Sequence, residues 1–128
     1  MSSQKFTLRE LQTYTGERKG ERILLGLNGK VYDVSTGASF YGPGNGYSVF
    51  AGRDSTVGLA RGSLLRSEMP GPGDAPTTMD KLSETEQKAA LSWETRLKQK
   101  YPVVGVLVKE SPEKEDQEED QEEEPESN

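Results

Sequence analysis

Two tyrosines six residues apart, Tyr41 and Tyr47, lie in the segment Phe40-Tyr41-Gly42-Pro43-Gly44-Asn45-Gly46-Tyr47-Ser48-Val49-Phe50 of a 128-residue chain. They stand out because so much other chemistry is absent. The chain has no histidine and no cysteine, which removes Ser-His-Asp catalysis, thiol nucleophiles, disulfides, zinc–thiolate and iron–sulfur sites, and haem held by imidazole. Oxygen ligands, carboxylates, lysines or plain binding remain, and among these a phenolate is the strong iron ligand left. The segment has two readings. In one it is a turn-rich loop whose tyrosines only pack. In the other it is the rim of a slot for a flat ligand, walled by aromatic rings, with glycines letting the backbone come close. Gly44-Asn45-Gly46 resembles the start of a dinucleotide fingerprint, but Val49 stands where the third glycine belongs and no βαβ unit surrounds it. A phosphate-binding GxxxxGK[ST] loop is also missing.

The elements that must position this segment are legible on either side of it. Thr7-Leu8-Arg9-Glu10 has the capping-box pattern and opens a helix through Leu11 and Tyr14, with Gly16 placed to end it. Asn28-Gly29 between two apolar runs predicts a hairpin with strands at 23–27 and 30–34. Residues 47–51 could form one or two helical turns, and 54–60 reads as a short helix capped by Asp54. The prolines and glycines of 68–80 predict an exposed loop without regular structure. Ser83-Glu84-Thr85-Glu86 is a second capping box, opening a helix to about Lys100. Ala90, Trp93 and Leu97 would share its core face, and a last strand follows at 103–108. The predicted architecture is α+β: a small mixed sheet with short helices that form a pocket.

Charge divides the chain in two. Residues 110–128 hold eleven acids and the single base Lys114, whereas 1–109 hold 15 bases and 11 acids, and every apolar residue. We expect one domain at 1–109 and a disordered acidic tail at 110–128. The tail reads as a solubilising end or as a docking arm for basic partner surfaces. No run approaches the roughly 20 apolar residues of a membrane span, and the polar start lacks a secretory pattern. The expectation is a soluble, cytoplasmic protein that does not bind nucleic acid, since no basic face is evident.

Several motifs in order resemble one family. They are Phe6 to Leu11, Asn28-Gly-Lys-Val-Tyr-Asp-Val34, the run from Phe40 to Asp54, Gly58-Leu-Ala60, Ser92-Trp-Glu94 and Lys100-Tyr-Pro-Val-Val-Gly105. Together they resemble the membrane-associated progesterone receptor family of cytochrome b5-like haem/steroid-binding domains, over Phe6 to about Val108. The resemblance implies a cytochrome b5-like fold that binds haem b through tyrosine. By position, Tyr47 matches the axial iron ligand and Tyr41 the second loop tyrosine that supports the site by hydrogen bonding. Lys100 and Tyr101 match the pair near the haem propionates.

The function so implied is non-enzymatic: haem binding that supports cytochrome P-450 enzymes and sterol metabolism, peripheral to the endoplasmic reticulum membrane; the oligomeric state stays open, a haem-mediated dimer being one option. A steroid- or lipid-binding receptor module without obligatory haem is the alternative, and an electron-transfer protein a further one. Many members of that family carry an N-terminal membrane span that this sequence does not show, and its proline-rich stretch 66–80 differs from theirs.

Overall fold

The computed structural model describes residues 4–110. Its elements begin where local chemistry starts them. Thr7 Oγ1 accepts the Glu10 amide at 3.1 Å, and the Glu10 carboxylate accepts the Thr7 amide at 2.9 Å. This capping box opens α1 (Leu8–Leu11), which lasts one turn and ends at Gln12, short of the expected Gly16. Tyr14 leaves the helix because its carbonyl accepts the Leu24 amide instead. The hairpin is β2 (Leu24–Leu27) and β3 (Lys30–Asp33). Asn28 and Gly29 join the strands at φ 52° and 77°, the left-handed pair that a tight type I′ turn requires.

The sheet has four strands in the order β1-β4-β3-β2. β4 (Val103–Leu107) runs antiparallel to β3, while β1 (Gln4–Phe6) runs parallel to β4 at the edge. Both faces of the central strands are covered. Leu24 and Val31 pack with Phe6, Leu8, Leu11 and Leu107. Leu25, Leu27 and Tyr32 face the larger cluster with Tyr41, Phe50, Leu59, Leu97 and Tyr101. The alternation of strand side chains sends Val31 and Tyr32 to opposite sides.

Short helices and turns build the wall over that larger cluster: α2 (Ala38–Tyr41), a 3₁₀ turn at Ser48–Phe50, and α3 (Thr56–Arg61). Asp54 does not cap α3 as expected; Ser55 occupies the cap position, without a side-chain bond. Asp54 is fully buried and accepts Thr56 N at 3.2 Å, Thr56 Oγ1 at 2.6 Å and Thr77 N at 2.7 Å. It therefore ties the 68–80 loop to the domain. That loop is irregular as expected, apart from 3₁₀ turns at Arg66–Glu68 and Met79–Lys81.

α4 (Glu84–Lys100) starts at a complete capping box between Ser83 and Glu86. Its buried face is Ala90, Glu94 and Leu97, not Ala90, Trp93 and Leu97. Trp93 is rotated to the edge of the core because the neighbouring Glu94 is drawn inward to the hairpin. No helix among the described residues is long and apolar enough to cross a membrane. The expected acidic tail lies outside the described residues except for Glu110, which pairs with Arg9 at 3.0 Å.

Candidate functional site

The polar interior starts at Glu94. Its carboxylate accepts Lys30 Nζ at 2.7 Å, Asn28 Nδ2 at 3.1 Å and Tyr32 OH at 3.5 Å, with Lys98 Nζ at 3.8 Å. Burial alone would raise its pKa. The hydrogen bonds from Lys30 and Asn28 and the charges of Lys30 and Lys98 outweigh burial and hold it below the usual carboxylate range. Burial first, then the Glu94 charge and the hydrogen bond to it, push the Tyr32 hydroxyl well above the ordinary phenol value. Glu94 thus locks α4 to the hairpin turn and sets its rotation about its own axis.

That rotation turns Trp93, Arg96 and Lys100, at i, i+3 and i+7, toward one side. Opposite them stands the tyrosine segment. Phe40, Tyr41, Tyr47, Trp93, Arg96, Leu97, Lys100 and Tyr101 line a cavity of about 180 Å³. Tyr47, Phe50, Leu59, Leu64 and Trp93, with Gly58 and Gly62, line a second one of about 200 Å³. Tyr47 and Trp93 belong to both, and their rings meet edge to face at 6.3 Å. They form the partition of a single aromatic cleft. The wider hollow on the molecule, about 550 Å³, is polar and contains none of the four expected site residues.

All four of those residues, Tyr41, Tyr47, Lys100 and Tyr101, are brought together. Tyr41 is buried at 4% exposure, whereas Tyr47 is 39% exposed at the cleft. Their rings lie 6.0 Å apart. Burial, then the neighbouring Tyr101 and Tyr47, push the Tyr41 hydroxyl up to about 12, so it stays a protonated donor at neutral pH. Tyr101 packs edge to face against Tyr41 at 6.2 Å. Its hydroxyl sits so close to Gly37 that a Cβ there would overlap it. Arg96 lies over the Trp93 ring at 4.9 Å and joins Lys100 at the mouth.

Trp93 and Arg96 are site residues that sequence reasoning missed. Their spacing to Lys100 was the available signal, but Trp93 read as core. The chemistry of the assembled set is definite: one half-exposed phenol, two buried phenols, flat aromatic walls, and two cations at the rim.

Fold and cleft define a cytochrome b5-like haem/steroid-binding domain. Residues 7–108 match the family described as "Cytochrome b5-like Heme/Steroid binding domain", and the chain belongs to that family. Its relatives place it among the membrane-associated progesterone receptor proteins. Protein vem-1 of Caenorhabditis elegans is 46% identical over 110 residues, covering 86% of this chain and 57% of that protein. Human membrane-associated progesterone receptor component 2 is 39% identical over 109 residues, covering 85% and 47%. The cytochrome P-450 regulator dap1 of Schizosaccharomyces pombe is 38% identical over 105 residues, covering 80% and 62%. The chain spans about half the length of the first two. A solved Arabidopsis thaliana protein with a cytochrome b5-like fold superposes with a TM-score of 0.72 at 37% identity, covering 83% of this chain and 92% of that one.

Proposed function

We propose that this chain is a non-enzymatic haem-binding protein that holds the iron of haem b through the Tyr47 oxygen. One observation carries the reading. In a chain without histidine or cysteine, the half-exposed Tyr47 sits between aromatic walls with Arg96 and Lys100 at the same mouth. The residues fit the group: aromatic rings match a macrocycle, cations match its carboxylate arms, and a phenolic oxygen matches ferric iron. Each cavity lies below the roughly 300 Å³ at which ligand pockets begin. Seating a macrocycle therefore requires Tyr47 and Trp93 to part and the two hollows to merge.

Bound haem would supply a ferric centre whose hard anionic ligand disfavours reduction. Each protein group has its own task. Tyr47 gives the anionic oxygen, and Tyr41, held as a neutral donor, can hydrogen-bond that oxygen once the ring is seated. Tyr101 and Leu97 close the inner wall, and Lys100 with Arg96 receives the propionates. This arrangement suits haem carriage or regulation of another protein better than shuttling electrons. The fission yeast relative bears the name of a cytochrome P-450 regulator, which supports P-450 enzymes as partners; sterol metabolism as their setting is part of the proposal. The human relative's name, membrane-associated, supports a place at a membrane surface, and the endoplasmic reticulum as that membrane is part of the proposal. A haem-bridged pair of chains belongs to the same proposal.

Haem titration followed by absorption tests it. The wild-type chain should give a saturable Soret shift with a high-spin ferric charge-transfer band. Tyr47→Phe should keep its fold and lose more than about 100-fold in affinity, beyond the 10–100-fold expected for a supporting residue such as Tyr41→Phe. If Tyr47 only packs, losing its hydroxyl would cost about 0.5–1.5 kcal/mol and leave the spectrum unchanged. A wild-type chain that binds steroid but no haem would instead establish the receptor reading.

A further inference from the structure

On another part of the surface, three loops meet around the polar hollow of about 550 Å³. Gln12, Thr13 and Thr15 follow α1. Arg18 belongs to the loop before β2, Arg53 precedes α3, and Arg66 stands in the following 3₁₀ turn. Among the described residues, none of the three guanidinium groups makes an ion pair or a side-chain hydrogen bond. Arg9, Arg22 and Arg61, by contrast, each find a carboxylate. Arg53 is half-buried, so leaving it unpaired sacrifices solvation that no protein group returns. Burial, and then the charge of Arg66, pull its pKa below the ordinary arginine value.

Hydroxyls complete the lining. Thr13 donates to the Glu10 carbonyl at 2.9 Å, so its proton is engaged. The Thr15 oxygen accepts the Glu17 amide at 3.4 Å, which leaves its own proton to give, and Ser48 is held by no side-chain bond among the described residues. Two acids also border the hollow, Glu17 and Glu21. Glu21 is occupied with the Gly16 amide at 2.9 Å.

We propose that this hollow binds a phosphate monoester group, through Arg18, Arg53 and Arg66 with the hydroxyls of Thr15 and Ser48. Guanidinium groups and hydroxyls are donors only toward such an anion, and a doubly charged tetrahedral oxyanion has enough acceptors to engage all of them. A planar carboxylate offers two oxygens, fewer acceptors than the donors lining the hollow. Glu17 and Glu21 leave the lining with a net charge of only +1, which favours one compact phosphoryl group and disfavours a polyanion such as nucleic acid. The group could arrive on a soluble metabolite or on a lipid head group. The site is independent of Tyr47 and does not rest on the haem reading.

Amide chemical shifts of the full chain, followed by NMR, test it with three probes: inorganic phosphate, glycerol 3-phosphate, and vesicles of phosphatidylcholine with or without phosphatidic acid. The expected result is saturable movement confined to Thr13–Arg18, Gly44–Ser48, Arg53 and Arg66, absent with chloride at equal ionic strength. Arg66→Gln alters an exposed side chain and cannot unfold the domain, and it should weaken binding about tenfold. Arg53→Gln should do the same or more. Binding of the soluble phosphates identifies a metabolite-type ligand, and binding confined to phosphatidic acid vesicles identifies a lipid head group. Both outcomes support the site. No saturable shift with any probe, or shifts that persist unchanged in Arg66→Gln, would overturn it.

Discussion

The junction of hairpin and α4 and the tyrosine segment are both rich in polar groups, yet they treat them in opposite ways. Glu94 at the junction takes Lys30, Asn28 and Tyr32, and Asp54 beside it, where α3 meets the 68–80 loop, takes Thr56 and Thr77. In the tyrosine segment and the adjoining Tyr101 the rings pack closely, but the hydroxyls of Tyr41, Tyr47 and Tyr101 make no hydrogen bond among the described residues. The segment also uses one-turn helices without side-chain caps. A satisfied polar group fixes a structure, whereas an unsatisfied one at a cleft is available to a ligand. The first region is the frame that aims the second.

The comparison breaks most visibly at Asp54. Asp54→Ala removes the acceptor for two backbone amides and one hydroxyl inside the domain, and each buried donor left unanswered costs about 1–3 kcal/mol. The expected loss is about 3–5 kcal/mol in urea-unfolding stability, with faster proteolysis in 68–80 as the Thr77 anchor is released. A loss below about 1 kcal/mol would mean that the loop holds itself in place.

Glu94→Gln follows, at about 1–2 kcal/mol, because the amide still accepts from Asn28 but no longer neutralises Lys30. The pH profile sharpens the result. The folded-state pKa of Glu94 is lowered, so its contribution is fully present above the ordinary glutamate value near 4.3 and is lost as pH falls through the lower folded value. The variant should therefore show a shallower loss of stability in acid than the wild type. An acid limb of unchanged slope would assign that sensitivity to another carboxylate.

How far the sequence could be read follows from how local each signal was. Both capping boxes and the Asn28-Gly29 turn depend on neighbours within four residues, and all three stand where expected. β1 gave no such signal: Gln4-Lys5-Phe6 has one apolar residue, and its parallel partner Gly105 to Leu107 lies about a hundred positions away. Trp93 and Asp54 were misplaced for a related reason. Helical periodicity ranks Trp93 above Glu94 as a core residue, and only the hairpin's Lys30 and Asn28 make a buried glutamate favourable there. Asp54 looks like a cap until Thr77, 23 residues on, supplies the competing amide. In the candidate site, residue type and spacing pointed to Tyr41 and Tyr47 as a possible ligand slot, and the resemblance assigned their roles. Arg96 required knowing which way α4 is turned.

The smallest effect belongs to Lys100, at the exposed end of that aimed face. If Lys100 meets a propionate at the cleft mouth, the pair is solvent-exposed, and such pairs contribute about 0.2–1 kcal/mol. Lys100→Gln should thus weaken haem binding only about two- to fivefold at low salt. The difference should shrink as salt shortens the screening length to about 8 Å at physiological ionic strength and further beyond it. Salt alone does not identify the partner, so the haem dimethyl ester serves as the discriminating ligand: it keeps the ring and iron and removes both carboxylate charges. With the ester, wild type and Lys100→Gln should bind equally, while Tyr47→Phe remains severely impaired. A Lys100→Gln defect that persists with the ester would make Lys100 a structural residue of the α4 terminus. It would leave Arg96, held over Trp93, as the cation that meets the ligand.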